Sequence, residues 1–281
     1  MIFIGGSIFR DESYHENLYK DRMEMVNEFE KLNKPVFVLG SNFGPYNKVD
    51  FLNDYKRFFE KCKDVCFRDT YSYNLFKDMN NIRCQPDIVF QLDLDSFKKK
   101  EKKNIIGFSI IDVTHKDNLS KYEKIYINNT IKSIELLISM GYKCCLMSFC
   151  EKEGDLKCIN TILSKLSNTI KDNVYVYEYK GNLKEAINVI SEFKLFIAAR
   201  FHANIIAQLL NIPILPVIYS NKTYNMLKDI NLDSIMVSMD NLELLYDEKI
   251  IEKAFYNIAD ITDIKKESKL QFKKLSLFME E

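Results

Sequence analysis

The chain has 281 residues, of which 47% are hydrophobic and 28% are charged, and its 40 Lys and Arg residues balance its 40 Asp and Glu residues. This composition excludes a disordered or collagen-like chain, and the balanced charge argues against nucleic acid or an anionic membrane as an obligatory partner. With no apolar run near the length of about 18 residues that a membrane span needs, and an opening MIFIGG too short for a signal peptide, we expect a soluble, cytoplasmic protein.

Short apolar runs alternate with longer amphipathic stretches along almost the whole chain. The short runs predict strands at residues 1–4, 35–39, 64–67, 87–91, 105–111, 143–149, 174–179, 195–198, 214–218 and 235–237. Apolar residues at helical spacing between them predict helices at residues 19–32, 51–61, 72–77, 122–140, 156–170, 183–192, 204–210 and 222–228. Strand–helix alternation with short connections is typical of parallel sheets of the Rossmann type, so we predict an α/β fold.

One change in composition divides the chain. Residues 93–104 read DLDSFKKKEKKN, a charge run without apolar periodicity. Such a run is more often a solvated linker than a binding patch. We therefore predict an N-terminal Rossmann-like domain at residues 1–96, a C-terminal Rossmann-like domain at residues 104–245, and a helical tail at residues 246–281.

The seven cysteines are scattered through the sequence, and their number is odd. A chain of this size with that distribution does not depend on a disulfide framework. Only three histidines are present, and the cysteine spacing lacks the paired C-x2-C knuckles of zinc sites. We expect buried thiols that act as small hydrophobic side chains, and no bound metal.

Ligands of Rossmann-like folds bind beyond the carboxyl ends of the strands, so the residues that follow each strand are the first candidates. Gly5, Gly6 and Ser7 follow the first predicted strand, and paired glycines let backbone N–H groups approach an anion or a sugar hydroxyl. Ser41 and Asn42 follow the second strand, within a turn that contains two glycines and a proline. Both segments are candidate ligand contacts, and each is also explained by chain reversal alone.

A third junction carries an arginine at the end of a predicted strand. Arg68 and Asp69 end the run DVCF, and Thr70 or Ser72 can cap the helix that follows. An arginine at this position can hold a carboxylate or a phosphate through two hydrogen bonds. It can equally form an ion pair with Asp69 or another neighbour, and the sequence leaves both interpretations open.

The segment LFIAARFHANIIAQLLN carries the strongest signal. A strand ends at its two alanines, and Arg200 and His202 open the next helix. The free N–H groups of a helix N-terminus favour an anion, the Arg200 guanidinium adds a fixed positive charge, and His202 can transfer a proton near neutral pH. Ser220 and Lys222 follow the next predicted strand, so their side chains can contribute to the same ligand cleft as Arg200 and His202.

Two further segments follow strands of the C-terminal half and are weaker candidates for substrate contact. They are His115 in IIDVTHKD and residues 148–155, which read SFCEKEGD. His15 lies in a polar stretch after the first turn, and the sequence gives no second reason to place it in a site. The roles of His15 and His115 stay open at this stage.

The segments GGSIF, GSNFGPY, CFRDTYSYNLF, PDIVF, SFCEKEGD and ARFHANIIAQLLNIPILPVIYSNKT together resemble the polysaccharide pyruvyl transferase family, over residues 5–232. The resemblance implies a GT-B-like arrangement of two Rossmann-type domains that face a cleft. It also implies that the protein moves a pyruvyl group from phosphoenolpyruvate onto sugar hydroxyls of a bacterial cell-surface polysaccharide or exopolysaccharide precursor, forming a ketal and releasing phosphate. No cofactor or metal is implied.

The resemblance also implies roles for individual residues. The Arg-x-His of the family corresponds to Arg200 and His202, and its strand-end arginine corresponds to Arg68. The two arginines would bind the acidic groups of phosphoenolpyruvate, and His202 would protonate its enol carbon. Lys222 and the backbone at Gly5 and Gly6 would be secondary contacts to an anion or a sugar. The acceptor would be a glycan or a lipid-linked sugar, and its identity is not implied.

The start of the chain departs from the family pattern. Members usually carry at least one more strand–helix unit before the glycine pair, whereas only four residues precede Gly5 here. The sequence therefore predicts either a shortened N-terminal domain or a chain that is part of a longer product. Missing residues there would remove part of the acceptor side.

Two other functions compete with pyruvyl transfer. The first is a GT-B glycosyltransferase that uses a nucleotide sugar, which the same architecture allows. Such an enzyme needs a carboxylate that binds the ribose, and the sequence does not single one out. The second is a non-catalytic scaffold or carbohydrate-binding protein, which the short N-terminus would suit. A decayed site would be expected to lose its Arg-x-His chemistry first.

Overall fold

A computed structural model of the protein describes residues 1–116 and 118–280. The chain forms two units, one made of Met1–Leu92 and the residues from Ile261 onward, the other of Asp93–Asp260. The first boundary lies at the start of the predicted linker. The predicted helical tail is divided, because its residues up to Asp260 belong to the second unit and those that follow return to the first. Residue 281 of that tail lies outside the described residues.

The first unit is built on a four-stranded parallel sheet. Its strands, in chain order and in spatial order alike, are β1 (Ile2–Ile4), β2 (Phe37–Ser41), β3 (Asp64–Phe67) and β4 (Ile82–Cys84). Every residue of β2 and β3 is buried, as expected for a parallel strand that is covered on both faces. The carboxyl ends of β1, β2 and β3 therefore lie side by side.

Helices cover both faces of this sheet. One face packs against α1 (His15–Lys31), α2 (Val49–Glu60) and α3 (Thr70–Phe76). The core on that face is rich in phenylalanine, and edge-to-face ring pairs recur in it, such as Phe43 with Phe76 at 4.9 Å between centroids. His15 begins α1 and belongs to this core, where its ring lies 4.4 Å from that of Phe51 and its Nε2 atom 3.3 Å from Asp54.

The opposite face is covered by the end of the chain, through α11 (Thr262–Ser268), a 3-10 turn at Lys269–Phe272 and α12 (Lys273–Glu280). Phe272, Leu275 and Phe278 pack on a cluster of buried side chains from β2 and β3. Gln271 is fully buried between the strands, where its amide donates to the carbonyls of Phe67 and Gln85 and accepts from the Gly40 N–H. A helical tail was predicted here, but its docking on this sheet was not.

One predicted strand of this unit is wrong. Residues 87–91 do not pair with the sheet, and Ile88–Gln91 instead form a 3-10 helix that begins at Asp87, whose side chain accepts from the Val89 N–H at 2.8 Å. The strand next to β3 is β4, which the sequence analysis did not predict. That strand has only three residues and a central arginine, so its apolar signal is weak, and Arg83 pairs with the buried Asp64 of β3.

The second unit contains a six-stranded parallel sheet. Its strands are β5 (Ile105–Ser109), β6 (Lys143–Ser148), β7 (Val174–Glu178), β8 (Leu195–Ala198), β9 (Ile214–Ile218) and β10 (Val237–Ser238). Their spatial order is β10-β9-β8-β5-β6-β7, so the chain runs outward from β5 to β7, returns to β8 and continues outward on the other side. In sheets of this topology the ligand crevice lies where the order reverses, here between the carboxyl ends of β5 and β8.

The helices of the second unit are α4 (Glu123–Ser139), α5 (Asp155–Lys165), α6 (Asn168–Lys171), α7 (Leu183–Ser191), α8 (Phe201–Leu209), α9 (Asn221–Asp229) and α10 (Glu248–Ala254). Its 3-10 segments are Asp95–Phe97, Val113–His115, Ser120–Tyr122, Glu151–Glu153 and Met239–Tyr246. A large aliphatic core lies on the α4 and α5 side of the sheet. On the other side, Phe193 packs so close to β5 that a Cβ atom at Gly107 would lie 2.1 Å from its ring, so this position accepts only glycine.

Two further predictions from the sequence concern the burial of the cysteine thiols and the absence of a membrane span. Five of the seven cysteines are buried, and burial raises the pKa of Cys62, Cys66, Cys144, Cys145 and Cys158 to about 12. These thiols stay protonated at neutral pH and pack as small apolar groups. Over residues 1–116 and 118–280, none of the helices combines the length and apolar character required to cross a bilayer.

Candidate functional site

The first unit gathers six of the predicted contact residues at the carboxyl ends of β1, β2 and β3. They are Gly5, Gly6, Ser7, Ser41, Asn42 and Arg68. Gly5 and Gly6 both have positive φ, at +65° and +71°, which turns the chain sharply after β1. Ser41 Oγ donates to the Gly5 carbonyl at 3.1 Å, and the Asn42 N–H donates to the Gly6 carbonyl at 3.3 Å. Residues from adjacent strands therefore fix the glycine turn.

Arg68 lies at the centre of this group, and its side chain is only 4% exposed. Its Nη1 atom donates to Asp87 Oδ2 at 2.9 Å, and its Nη2 atom donates to Asn42 Oδ1 at 2.7 Å. Ser7 Oγ donates to the same Asn42 oxygen at 2.8 Å and lies 3.5 Å from Nη2. The ion pair with a neighbour is therefore present, but the neighbour is Asp87, while Asp69 caps α3 by accepting from the Ser72 N–H.

Asp87 is a residue of this group that sequence reasoning missed. It was part of the predicted strand at residues 87–91, and no role was predicted for its side chain. Its carboxylate holds Arg68 with one oxygen and starts the 3-10 helix with the other. The signal that could have identified it was its position directly after Pro86, because a proline followed by an aspartate is a common turn and cap sequence.

The second unit brings its candidate residues together where the strand order reverses. Arg200 lies two residues after the end of β8, and its backbone N–H donates to the hydroxyl of Ser109, the last residue of β5, at 3.2 Å. This bond joins the carboxyl ends of the two strands that flank the reversal. Arg200 thus stands at the position where sheets of this topology bind their ligands.

Two carboxylates bind the Arg200 guanidinium. Nη1 donates to Glu153 Oε2, and Nη2 donates to Asp155 Oδ1, while the arginine side chain is 15% exposed. Burial disfavours its charge, but the carboxylates of Asp155 and Glu153 outweigh burial and raise the pKa of Arg200 above its ordinary value. Arg200 is therefore a permanent cation within a set of charged groups.

Glu153 also binds a second cation, Lys116, whose Nζ donates to the same Oε2 atom that accepts from Arg200. Lys116 follows the 3-10 turn after β5, so the two cations come from the two strand ends that flank the reversal. Partial burial opposes the charge of Glu153, but the hydrogen bonds from Lys116 and Arg200 prevail and lower its pKa to about 2. The carboxylate is ionised at any physiological pH.

Tyr219 directly follows β9 and lies beside Arg200, Glu153 and Lys116. Burial raises the pKa of its hydroxyl, and the positive charge of Arg200 acts in the opposite direction. Its ring lies 5.8 Å from Lys116 Nζ, within the range of a cation–π contact. At neutral pH Tyr219 is therefore a neutral hydroxyl beside two cations.

The short segment from Glu153 to Asp155 explains how two acidic side chains reach one arginine. Gly154, between them, has φ of +81°, a left-handed conformation that reverses the chain. A Cβ atom there would lie 2.6 Å from Asp112 Oδ2, so the position also has no room for a side chain. The sequence analysis singled out SFCEKEGD as a candidate contact, but it did not pair its acids with Arg200 or Lys116.

The remaining candidates of the second unit lie at the same edge of the sheet. His202 is exposed in the first turn of α8, and its ring packs edge-to-face on Phe201 at 5.1 Å between centroids. Ser220 is the residue before α9, and Lys222 lies half-buried in the first turn of that helix. His115 is exposed and lines an open cavity of about 680 Å³ beside Gly154, together with Lys152, Lys157, Asn160, Thr161 and Ser164.

Over the described part of the chain, no cluster of three or more His, Cys, Asp or Glu side chains has the geometry of a metal site. The groups at the strand ends combine cations with carboxylates and hydroxyls. The cations and hydroxyls suit hydrogen bonding to acidic groups and sugar hydroxyls, and the exposed imidazoles of His115 and His202 are able to transfer a proton.

Comparison with known proteins identifies a family. A model of the family described as polysaccharide pyruvyl transferase matches residues 1–221 of this chain. The matched region contains Arg68, Glu153, Asp155, Arg200 and His202, and it ends directly before Lys222. Among curated proteins, none matches the sequence.

Solved structures resemble the chain in fold, at low sequence identity. The glycosyltransferase from Rickettsia africae has a TM-score of 0.52 and 13% identity, over 93% of this chain and 77% of its own. The UDP-GlcNAc 2-epimerase from Neisseria meningitidis, bound to UDP-GlcNAc, has a TM-score of 0.55 and 13% identity, over 90% and 72%. TarM has a TM-score of 0.51 and 14% identity over 86% of this chain, which spans only 48% of TarM. The predicted α/β fold of two parallel-sheet domains, similar to that of GT-B glycosyltransferases and epimerases, is confirmed.

Proposed function

Because this chain is a member of the polysaccharide pyruvyl transferase family, we propose that it transfers a pyruvyl group from phosphoenolpyruvate to a sugar. The acceptor is a polysaccharide or its glycan or lipid-linked precursor. The product is a ketal in which two sugar oxygens are bonded to the former enol carbon, and inorganic phosphate leaves.

The observation that carries the proposal is the group of Arg200, Lys116 and His202 at the strand-order reversal of the second unit. Phosphoenolpyruvate has a carboxylate and a phosphate, and arginine and lysine are the side chains that bind such groups most strongly. The permanent charge of Arg200 would also stabilise the negative charge on the departing phosphate. The exposed His202, two residues after Arg200, would act on the neighbouring carbon.

The reaction balances with the side chains proposed. His202 in its protonated form donates a proton to the CH₂ carbon of the enol, which becomes a methyl group. One sugar hydroxyl adds to the adjacent carbon and loses its proton, which restores the histidine. A second hydroxyl of the same sugar then displaces phosphate from that carbon, and its proton leaves with the phosphate or with solvent.

The direct test is incubation of the purified chain with phosphoenolpyruvate and β-galactosyl, mannosyl or N-acetylmannosaminyl acceptors. Phosphate release is measured by colorimetry, and the ketal methyl group by proton NMR. We expect both products with at least one acceptor. Absence of both products with all three acceptors, together with thermal stabilisation by nucleotide sugars and none by phosphoenolpyruvate, would instead support a nucleotide-sugar glycosyltransferase.

The role of His202 has its own readout. His202→Gln is expected to lower kcat by about 10²- to 10⁴-fold, the range for loss of a general acid. In the unmodified protein, activity should fall as pH rises through the pKa of the protonated imidazole. That falling limb should be absent from the residual activity of His202→Gln. A variant that retains both full activity and the falling limb would exclude His202 as the acid.

The hypothesis that Arg68 binds an acidic group of the same donor stays a prediction. Its guanidinium is held by Asp87 and Asn42 in a fixed orientation, which supports a binding role that depends on geometry. Arg68→Lys keeps the charge but loses the planar fork. If Arg68 binds the donor, this variant raises KM for phosphoenolpyruvate; an unchanged KM would leave Arg68 with a structural role.

A further inference from the structure

The two carboxylates that bind Arg200 differ in how firmly they are held. The side chain of Asp155 is fully buried, whereas that of Glu153 is 42% exposed. Asp155 Oδ2 accepts from the backbone N–H groups of Phe149 at 3.1 Å and Cys150 at 2.9 Å, while its Oδ1 binds Arg200. Asp155 is therefore part of the backbone framework, and its removal would leave buried donors without partners.

Glu153 occupies a different position. It is the last residue of a three-residue 3-10 turn, and its bonds to Lys116 and Arg200 are made through one oxygen at the edge of solvent. Rotation of its side chain would release both cations without changing the backbone. Arg200 would then keep its bond to Asp155 and would remain oriented.

Glu153 places one oxygen atom between Arg200 and Lys116. An oxygen atom of a bound phosphate or carboxylate would occupy the same position. The charges of the side chains around this position lead to the same conclusion. Lys116 and Arg200 carry two positive charges, which Glu153 and Asp155 cancel. Once Glu153 has moved away, the remaining three groups have a net charge of +1 and favour an incoming anion. The position, between the ends of β5 and β8, is where this fold binds ligands.

We propose that Lys116 and Arg200 form an anion-binding site for an acidic group of the substrate, and that Glu153 is an internal carboxylate that competes with the substrate for both cations. Lys116 is thereby a substrate-binding residue, and Glu153 sets the affinity for the anion. The ligand class is a phosphate or a carboxylate on a small molecule. The inference depends on the proposed function only for the identity of that molecule.

A pKa of about 2 agrees with this role for Glu153 and disagrees with a role as general base. A carboxylate held so strongly by two cations is a weak proton acceptor at neutral pH. Its release on substrate binding exchanges one set of ionic hydrogen bonds for another. The competition therefore lowers affinity without preventing binding.

The experiment is isothermal titration calorimetry of the full chain with inorganic phosphate, at pH 7 and low ionic strength to limit screening. Glu153→Gln removes the competing charge, and we expect phosphate binding to tighten by about tenfold. Glu151→Gln is the matched control, because it removes the same charge from an exposed position in the same turn. Phosphate affinity should be unchanged in this control, and equal tightening in both variants would overturn the proposal.

A second pair of variants tests Lys116. Lys116→Gln is expected to weaken phosphate binding by about tenfold, and the double variant with Glu153→Gln should not reach the affinity of Glu153→Gln alone. Glu153→Asp keeps the charge but shortens the side chain by one methylene group, and it should give an intermediate affinity. Thermal unfolding of each variant verifies that it is folded. Unchanged or weaker binding of both phosphate and pyruvate in both Glu153 variants would overturn the proposal.

Pyruvate in place of phosphate separates the two acidic groups of the proposed donor. The group whose binding tightens in Glu153→Gln is the one that this site takes. Neither titration contains phosphoenolpyruvate or an acceptor, so tighter binding without ketal formation would retain this site and reject the proposed function. Ketal formation with unchanged anion binding would support the proposed function and reject this site. Ketal formation abolished in Glu153→Gln, without tighter binding, would make Glu153 a base and overturn the inference.

Discussion

The two arginines at strand ends are held in contrasting ways. Arg68 of the first unit is bonded to Asp87 and Asn42, and all three side chains are buried. Arg200 of the second unit has one buried partner, Asp155, and one partly exposed partner, Glu153, which it shares with Lys116. A buried set of partners fixes a side chain, whereas an exposed carboxylate can exchange with a ligand.

This contrast separates two functions that an arginine at a strand end can have. The fixed partners of Arg68 orient the guanidinium and hold three strand ends together. The exchangeable partner of Arg200 is Glu153, which a ligand can replace. It lies where the strand order reverses, at the position where this fold binds ligands. Substitutions of the partners, and not of the arginines themselves, test the distinction most directly.

The largest effect is expected for Asp155→Ala. This change leaves Arg200 without its buried partner and leaves the N–H groups of Phe149 and Cys150 without an acceptor. We expect the free energy of unfolding to fall by about 4 kcal/mol, which is the range for breaking a buried ion pair. Urea unfolding measures it. Glu153→Gln should cost less than about 1 kcal/mol, because Glu153 is partly exposed. Equal costs would remove the distinction between the two carboxylates.

Asp87→Asn should come next. The amide keeps the shape of the side chain, but it no longer balances the charge of Arg68, which is 4% exposed. We expect a loss of about 3 kcal/mol in the free energy of unfolding, since Asn42 still accepts one hydrogen bond. Asp78→Asn, an exposed position in the same unit, is the control and should change little. A small loss in Asp87→Asn would mean that Arg68 is as exchangeable as Arg200.

A smaller effect is expected for Ser7→Ala. The Ser7 hydroxyl donates to Asn42 Oδ1, the same oxygen that receives Arg68, so its loss leaves that oxygen with a strong donor in place. Unfolding free energy should fall by about 1 kcal/mol, the usual value for one neutral hydrogen bond. A loss of several kcal/mol would show that Ser7, and not Asp87, is the main support of the cluster.

The smallest effect concerns pH. Glu153 has a lowered pKa, so its ion pairs stabilise the folded chain fully above about pH 4.5, and this contribution disappears as pH falls toward about 2. Lys116, Arg200 and Tyr219 interact directly with this carboxylate. The difference in unfolding free energy between the unmodified chain and Glu153→Gln should shrink across this window. A difference that is constant with pH would exclude Glu153 as the titrating group.

Most of the fold could be predicted from hydrophobic periodicity. The runs that became β3, β8 and β9 match the structure residue for residue, because buried parallel strands are continuous apolar segments between polar turns. The incorrect strand predictions have local causes. β4 is too short and too polar to stand out, and Ile88, Val89 and Phe90 are apolar because their 3-10 helix packs against the end of the chain, not because it pairs with a sheet.

The site could be predicted only in part. Arg200 and His202 were predicted as candidates from their position between a strand and a helix, which the sequence displays directly. The pairing of Arg200 with Glu153 and Asp155 was not, because 47 and 45 residues separate the partners and only the strand order places them together. The same holds for Arg68 and Asp87, which meet across 19 residues.

The return of the chain end to the first unit has a consequence for biosynthesis. Gln271 completes hydrogen bonds for the carbonyls of Phe67 and Gln85 and for the Gly40 N–H, and Phe272 and Phe278 cover Phe37 and Leu39. In the chain these partners follow the whole of the second unit, so they are translated after it. Until then the N-terminal sheet has one apolar face uncovered, and a translation product truncated before Ile261 would expose that face to chaperones and proteases.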